Sequence, residues 1–171
     1  MNAATQAIQV LFVCLGNICR SPMAEAVFAR KVRDAKLEDS ILSDSAGTGG
    51  WHIGSPPHPE TQRVLKERSI PFQHRAKQIT SSDLNRFDYI LTMDEQNYRD
   101  VLALGSGTAK VVRFLSYAPE LGRTDVPDPY YVGGYEGVYA LVEAASTGLL
   151  AAIREENELG NSCCVVNKSA Y

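Results

Sequence analysis

A cysteine and an arginine six positions apart stand between an apolar run and a segment that begins like a helix. The stretch reads Cys14-Leu-Gly-Asn-Ile-Cys-Arg-Ser-Pro22. A short loop between a strand and a helix directs backbone N–H groups and the positive end of the helix dipole at one point, where a phosphate can bind. The same field favours thiolate over thiol, and Arg20 adds a permanent positive charge. We therefore expect Cys14 to be ionised near neutral pH and to act as a nucleophile on a phosphorylated group.

The other residues of this loop suit a tight phosphate cradle. Gly16 permits close backbone approach and a positive φ, and Asn17 is the next most tolerant residue for a left-handed conformation. Arg20 can hold two phosphoryl oxygens with its planar fork, which lysine cannot do. Ser21 is predicted to cap the following helix, with Pro22 as its first residue. Without this context, the same cysteine and arginine would more often be a buried core residue and a surface charge.

Short apolar runs alternate with helix-like segments along the chain. Strands are predicted at Ile8–Val13, Ile41–Ser45, Tyr89–Thr92 and Lys110–Leu115. Helices are predicted at Pro22–Lys36, Pro59–Arg68, Ser81–Asn85, Asp94–Leu104 and Tyr135–Leu159. Gly148 is a weak point in the last helix. The pattern predicts an α/β fold: a single domain with an open parallel four-stranded sheet, helices on both faces and the phosphate-binding loop after the first strand.

Two loops rich in glycine and proline follow strands and can reach the edge where Cys14 lies. The first spans residues 47–59 and contains Trp51, the only tryptophan, and the second spans residues 123–134 and contains Asp128. Ligands of open α/β sheets bind beyond the carboxyl ends of the strands. A cysteine phosphatase also needs a general acid for the leaving group. Asp128 is the best candidate, because its aromatic neighbours would partly desolvate it and so raise its pKa. Asp-Pro is also an ordinary turn signal.

Several motifs together resemble the low-molecular-weight protein tyrosine phosphatase family. Residues 13–25 resemble its active-site loop, and further matches are Asp44-Ser45-Ala46-Gly47, Gly54 with Pro56-Pro57, His74 before Ala76-Lys-Gln-Ile79, Thr92-Met93-Asp94 and Asp128-Pro129-Tyr130-Tyr131. The resemblance implies a phosphatase domain over residues 7–160, with residues 1–6 and 161–171 as flexible tails. It implies hydrolysis of phosphotyrosine through a phosphocysteine intermediate. Cys14 would be the nucleophile, Arg20 would bind the phosphate, and Asp128 would act first as general acid and then as base.

The resemblance also implies a network that supports the loop. Asn17, Ser45 and His74 would hold the loop in shape by hydrogen bonds. Glu25 and Asp44 would lie near His74. A lone histidine such as His74 would otherwise be a surface residue or a satisfied core residue.

Aromatic residues are expected to form the walls of the substrate cleft. By resemblance, Trp51, Tyr130 and Tyr131 would pack on the ring of the substrate, although aromatic residues also pack within loops without such a role. Cys19 would be either buried structure or the partner that captures an oxidised Cys14 as a disulfide, and the resemblance favours the second role. The predicted substrate-binding residues are Leu15, Gly16, Asn17, Ile18, Cys19, Ser21, Trp51, Tyr130 and Tyr131.

Composition limits the kinds of partner. The 171 residues carry a net charge of −3, which argues against general binding to nucleic acids or anionic membranes. No apolar run is expected to approach a membrane span, and residues 1–6 lack the features of a secretory signal, so a cytoplasmic location is expected. No cofactor or metal is expected, since the cysteines and histidines lack zinc-ligand spacing. The expected partners are phosphotyrosine-containing proteins, which could include a tyrosine kinase, with small aryl phosphates as substrates and phosphate and vanadate as inhibitors.

Three other functions stay open. A thiol-dependent arsenate reductase shares this loop and fold but needs further cysteines, and residues 21–162 contain none. The adjacent cysteines at 163–164, in a polar tail, fit that chemistry poorly. A phosphoarginine phosphatase of the same family would differ chiefly at the position of Ile18, where that branch carries threonine. A non-catalytic phosphotyrosine-binding module would be suggested by loss of Cys14 or Asp128, and both are present.

Overall fold

Four strands form one parallel sheet in a computed structural model that describes residues 6–160. The strands are β1, Ile8–Cys14; β2, Ile41–Gly47; β3, Tyr89–Thr92; and β4, Lys110–Arg113. The helices are α1, Arg20–Asp34; α2, Pro59–Glu67; α3, Asp83–Arg86; α4, Glu95–Leu102; α5, Pro129–Val132; and α6, Tyr135–Glu156. The predicted α/β class and four-stranded parallel sheet are confirmed. Of the predicted tails, residues 1–5 and 161–171, with the cysteine pair 163–164, lie outside the described residues.

The side chains of β1 alternate between two cores. Val10, Phe12 and Cys14 belong to the larger core, which also contains residues of α1, α2 and α6. Leu11 and Val13 belong to the smaller core, which contains residues of α3 and α4. A parallel strand that is covered on both faces is apolar at successive positions, as β1 is. The prediction of helices on both faces of the sheet is therefore confirmed.

The strand order places a reversal of direction at β1. The sheet runs β2-β1-β3-β4, so the chain passes from β1 to β2 on one side and then crosses to β3 on the other. In open α/β sheets, ligands bind at such a switch point, beyond the carboxyl ends of the strands. β1 ends at Cys14 and α1 begins at Arg20. The phosphate-binding loop predicted from the sequence therefore lies at the switch point.

The predicted start of α1 is wrong by two residues. The helix begins at Arg20, its N-cap is Cys19, and Pro22 is the third helical residue rather than the first. Proline is tolerated there because N–H groups of the first turn have no intrahelical partner. The hydroxyl of Ser21 does not cap the helix because it is engaged with Cys14 and Asn17 instead.

The predicted fourth strand is too long. β4 ends at Arg113, and Phe114 and Leu115 begin a 3₁₀ helix, Phe114–Tyr117, which a second 3₁₀ helix, Pro119–Leu121, follows. Both residues are buried in the larger core, where the Phe114 ring meets the edge of the Phe12 ring at 5.1 Å. An apolar run signals burial without fixing the backbone conformation, so the sequence could not separate the two structures.

The expectation that no apolar run approaches a membrane span is wrong for α6. Among the described residues, this helix alone is long and apolar enough, with a mean hydropathy of 1.3 over an 18-residue window. Its apolar stripe nevertheless packs into the larger core, where α1 is its main neighbour. The buried members of the stripe are Val138, Val142, Ala145, Leu149 and Ile153. Protein atoms therefore cover the face that a lipid would otherwise meet.

Gly148 has a packing role in α6. A Cβ at this position would lie 1.8 Å from the carbonyl oxygen of Tyr117 and 2.9 Å from its carbonyl carbon. Rotation of a side chain cannot relieve a clash with backbone atoms. By contrast, a Cβ at Gly137 in the same helix would meet nothing within 4 Å among the described residues. The helix can therefore approach the 3₁₀ helix at Tyr117 only with glycine at position 148.

We expect Gly148→Ala to lower the free energy of unfolding by about 1–3 kcal/mol, as overpacking does, although alanine is the better helix former. Gly137→Ala is the matched control and should raise it by about 0.5–1 kcal/mol. Urea unfolding followed by circular dichroism measures both changes. If both substitutions raise the free energy of unfolding by the same amount, Gly148 has no packing role and only weakens the helix.

Candidate active site

The loop between β1 and α1 wraps around the sulfur of Cys14. The N–H of Asn17 donates to Cys14 Sγ over 3.3 Å, and Ser21 Oγ lies 3.0 Å from the same sulfur. Residue Cys14 is 2% exposed, at the end of β1. α1 begins directly after the loop, which adds the positive end of its dipole. Donors and dipole together suit a negatively charged sulfur.

Asn17 joins this loop to two other segments. The residue is fully buried, and its Nδ2 donates to Ser21 Oγ at 2.9 Å and to Ser45 Oγ at 3.0 Å. Its Oδ1 accepts from the backbone N–H of Lys77 at 3.0 Å and lies 2.8 Å from His74 Nε2. One side chain therefore ties the phosphate-binding loop to α1, to β2 and to the segment that contains residues 74–77.

The fixed donor in this network determines the direction of the other hydrogen bonds. Because the Lys77 N–H can only donate, Asn17 must accept through Oδ1 and present its NH₂ group to Ser21 and Ser45. The Ser21 oxygen accepts from that group, which leaves its own proton free. The acceptor that lies closest along this path is Cys14 Sγ, at 3.0 Å, against 3.4 Å for a backbone carbonyl. Ser21 is thus oriented to donate to the sulfur.

Backbone geometry explains two residue choices around the loop. Of the two residues predicted to tolerate a left-handed conformation, Asn17 adopts it, with a φ of 56°, and Gly16 does not. Gly47, the last residue of β2, allows a close approach of backbones, because a Cβ there would lie 2.7 Å from the carbonyl oxygen of Leu15. The N–H of Gly49 donates to that same oxygen at 2.9 Å. The end of β2 therefore braces the loop through backbone atoms.

A histidine and two carboxyl groups lie behind the loop. Ser45 donates to Glu25 Oε2 at 2.6 Å, its backbone N–H donates to Asp44 Oδ1 at 2.8 Å, and His74 Nδ1 lies 3.5 Å from Glu25 Oε2. Burial raises the pKa of Glu25 to about 7, against the lowering effect of the bond from Ser45. Burial lowers the pKa of His74, against the attraction of Asp44. The neutral imidazole donates through Nε2 to Asn17, whose oxygen is the acceptor.

Arg20 is buried among groups that hold its guanidinium in place. Nη1 donates to Asp94 Oδ2 at 2.6 Å and to the carbonyl of Val126 at 3.0 Å, and Nη2 donates to Asp128 Oδ2 at 3.2 Å. Burial would lower the pKa of Arg20, but Cys14, Asp94 and Asp128 outweigh it and the pKa is raised. Asp94 was not among the predicted site residues, although the family match Thr92-Met93-Asp94, at the end of the predicted third strand, could have indicated it.

Asp128 connects Arg20 to the aromatic wall of the cleft. The segment predicted as an irregular loop contains α5, and Asp128 is the N-cap of that helix. Its Oδ1 accepts from the N–H of Tyr130 at 3.1 Å, while its Oδ2 pairs with Arg20. Asp128 is therefore the turn-forming residue that the Asp-Pro pair indicates, and the same residue is the predicted general acid. The cap fixes the carboxyl group beside Arg20.

A cavity of about 290 Å³ opens above the loop. Its lining residues are Cys14, Leu15, Gly16, Ile18, Cys19, Arg20, Trp51, His52, Asp128, Tyr130 and Tyr131. His52 was not predicted, and its ring lies 6.1 Å from that of Tyr130. Its place directly after Trp51 in the chain was the available signal. Two predicted substrate-binding residues, Asn17 and Ser21, are fully buried and are not among the lining residues. The structure thus brings the predicted residues together in two layers, a cavity lining and a support beneath it.

Cys19 belongs to the lining but contacts a tyrosine that the sequence analysis did not identify. Its Sγ lies 3.5 Å from Tyr135 Oη, and the ring of Tyr135 stacks on that of His58 at 5.1 Å. Burial raises the pKa of Cys19 to about 11, so its thiol stays protonated at neutral pH. Both Cys14 and Cys19 are free thiols in this structure. A disulfide between them stays a prediction.

The chain is similar in sequence to known proteins over most of its described residues. A profile of the low molecular weight phosphotyrosine protein phosphatase family matches residues 9–159. The chain is 46% identical over 155 residues to the low molecular weight protein-tyrosine-phosphatase YfkJ of Bacillus subtilis, which covers 89% of this chain and 99% of that protein. It is 50% identical over 138 residues to the low molecular weight phosphotyrosine protein phosphatase of Schizosaccharomyces pombe, with coverage of 78% and 86%.

Solved structures show the same fold. The crystal structure of YfkJ superposes with a TM-score of 0.87, over 90% of this chain and 98% of that one. The crystal structure of a Drosophila arginine phosphatase superposes with a TM-score of 0.81 at 31% identity, over 86% of this chain and 98% of that one. The family profile spans nearly all of the described residues, and the relatives share the fold as well as the sequence. The chain therefore belongs to the low-molecular-weight protein tyrosine phosphatase family.

Proposed function

We propose that this phosphatase transfers the phosphate of phosphotyrosine to Cys14 and then to water. The observation that carries the proposal is the placement of three groups around one cavity. Cys14 Sγ lies at its base with donors from Asn17 and Ser21, and Arg20 and Asp128 face the same space. Nucleophile, oxyanion cradle and general acid are the parts that phosphate transfer through cysteine requires.

The first step forms the phosphocysteine. The Cys14 sulfur attacks phosphorus, an S–P bond forms, and the P–O bond to the phenol breaks. Asp128 acts as the general acid and gives a proton to the departing oxygen. Arg20 and the loop N–H groups hold the non-bridging oxygens. Asp128 is paired with Arg20 at 3.2 Å in the free protein. The entering phosphate competes with Asp128 for Arg20 and so frees the Asp128 carboxyl group to face the leaving group.

The second step releases phosphate. Asp128, now ionised, takes a proton from a water molecule that attacks phosphorus, and the S–P bond breaks. Ser21, whose proton is oriented towards Cys14 Sγ, stabilises the departing thiolate. The burial of Asn17, which fixes Ser21, means that this donor is in position before the reaction begins.

We further propose that phosphotyrosine is preferred over phosphoarginine. Ile18 lines the cavity and is 8% exposed, and its bulk suits a flat aromatic ring while it offers no polar group to a guanidinium. Trp51, Tyr130 and Tyr131 supply aromatic walls. Substrates would be phosphotyrosyl proteins, which could include a tyrosine kinase, and phosphate and vanadate would inhibit by entering the cradle. The domain bounds 7–160, a cytoplasmic location and capture of oxidised Cys14 by Cys19 stay predictions of the sequence.

Cys14→Ser should abolish hydrolysis of p-nitrophenyl phosphate, because a serine hydroxyl is not ionised at neutral pH. Phosphate binding, measured by calorimetry, should persist in part, since Arg20 and the loop N–H groups remain. Cys19→Ser changes the same atom in the same loop and should retain far more turnover. Turnover of Cys14→Ser within about tenfold of the parent would exclude Cys14 as the nucleophile.

Asp128→Asn should lower the rate by about 10²–10⁴-fold for substrates with poor leaving groups. Asparagine still accepts from the N–H of Tyr130 and so keeps the cap of α5, but it cannot deliver the proton. The loss should shrink as the leaving group becomes more acidic, which a comparison of phenyl phosphate with p-nitrophenyl phosphate measures. An equal loss for both substrates would assign Asp128 a structural role.

Glu25 should make stability depend on pH. Its pKa of about 7 lies above the ordinary value of 4.5, so between these values the folded protein keeps a proton that the unfolded chain has lost. This contribution to stability is present at low pH and is lost as the pH rises through about 7. Glu25→Gln stays neutral, so its stability relative to the parent should rise as the pH increases to about 7 and should then level off. Urea unfolding between about pH 5 and 8 measures the difference, and parallel curves would mean that Glu25 titrates normally.

A further inference from the structure

Large apolar side chains are exposed mainly around the mouth of the active-site cavity. Among the described residues, seven large hydrophobic side chains are exposed, and five of them are lining residues or lie within two positions of one. These five are Trp51, Ile53, Tyr130, Tyr131 and Val132, with exposures from 52% to 78%. The other two, Leu42 and Leu102, are 46% and 47% exposed and belong to β2 and α4. Exposed apolar patches of this kind mark sites of interaction.

The loop on one side of the mouth is built to display such side chains. A Cβ on Gly49 would lie 1.8 Å from the indole of Trp51, so the ring rests directly on the backbone of Gly49. A Cβ on Gly50 would lie 3.3 Å from Ile53 Cδ1. The two glycines therefore leave room for an indole and an aliphatic side chain to lie along the loop. Trp51 and Ile53 remain 74% and 62% exposed in these positions.

Helix α5 supplies the other side of the mouth. Tyr131 meets Tyr130 edge to face at 5.2 Å and is 72% exposed, and Val132 follows it at 78% exposed. We use the term apolar rim for Trp51, Ile53, Tyr131 and Val132. Two chain segments that are far apart in sequence thus present apolar groups to the same opening.

The cavity itself offers little to a charged neighbour of the phosphotyrosine. Apart from His52, Arg20 and Asp128 are the basic and acidic side chains among its lining residues, and they are paired with each other. Arg75 contacts the loop beyond Ile53, where it donates to the carbonyl of Gly54 at 3.3 Å. An acidic residue beside the phosphotyrosine would therefore have to compete with Asp128 for Arg20 within the cavity.

A substrate must cover this rim when its phosphate is in the cradle. The cavity, at about 290 Å³, is at the small end of the range for ligand pockets and accommodates one side chain. The residues on either side of the phosphotyrosine consequently lie at the mouth. Resting on the proposed function, we propose that the apolar rim selects phosphotyrosyl segments with large apolar residues beside the phosphotyrosine. Burial of those residues against Ile53 and Val132 supplies the selectivity.

Peptides that differ only beside the phosphotyrosine test this inference. One carries leucine on both sides, one serine and one aspartate, and kcat/KM for each is divided by that for p-nitrophenyl phosphate. The parent should prefer leucine to serine and serine to aspartate, with about tenfold between leucine and aspartate, the effect of partial burial of one side chain.

Charge substitution on the rim should reverse this order. Ile53→Lys and Val132→Lys should each lower the ratio of leucine to aspartate turnover by about tenfold, through lost apolar contact and a new ion pair. Val132→Thr keeps the shape of the side chain and should lower the ratio less. Leu102→Lys adds the same charge at an exposed apolar residue of α4 and should leave the ratio unchanged.

Each outcome bears on a separate claim. Equal kcat/KM for the leucine and aspartate peptides in the parent overturns the inference, while hydrolysis of both leaves the proposed function standing. Failure to hydrolyse any of the peptides and p-nitrophenyl phosphate overturns both. If the parent self-associates in sedimentation and rim variants abolish association without changing peptide preference, the rim is an interface between copies and the inference is wrong.

Discussion

The buried amide of Asn17 is the contact on which the geometry of the site depends. It accepts from Lys77 and His74 through one atom and donates to Ser21 and Ser45 through the other, while its own backbone is left-handed. Leaving a buried polar group unpaired costs about 1–3 kcal/mol, so this arrangement strongly favours one shape of the loop. That shape orients the Ser21 proton towards Cys14 Sγ. The surroundings of the Cys14 sulfur therefore depend on buried side chains that do not line the cavity.

Sheet topology brings those contacts together. β1 ends at Cys14, at the switch point. β2 contains Ser45 and ends at Gly47, where a side chain would collide with the loop. β3 leads into Asp94, which caps α4 through the N–H of Asn97 and also holds Arg20. Three of the four parallel strands thus end in, or lead directly to, residues that contact the loop or hold Arg20.

The segment around Cys14 could be predicted from the sequence because its local pattern and its chemistry agree. The apolar run before Cys14, the glycine and asparagine after it, and the Arg-Ser-Pro start of a helix all lie within one short segment, so the strand, loop and helix could be predicted. The capping role of Ser21 was wrong because a contact with Cys14 and Asn17 competes for its hydroxyl. The pairing of Arg20 with Asp94, and the raised pKa of Glu25, depend on segments that meet only in the folded chain. Pattern alone cannot reveal such contacts.

The central claim is that phosphate passes through the sulfur of Cys14. Rapid acid quenching of the enzyme during turnover of an aryl phosphate, followed by peptide mapping, tests it most directly. The account predicts phosphate on the peptide that contains Cys14, formed and lost at rates that match turnover. Phosphate on another residue, or inversion of configuration at phosphorus with no covalent intermediate, would contradict it.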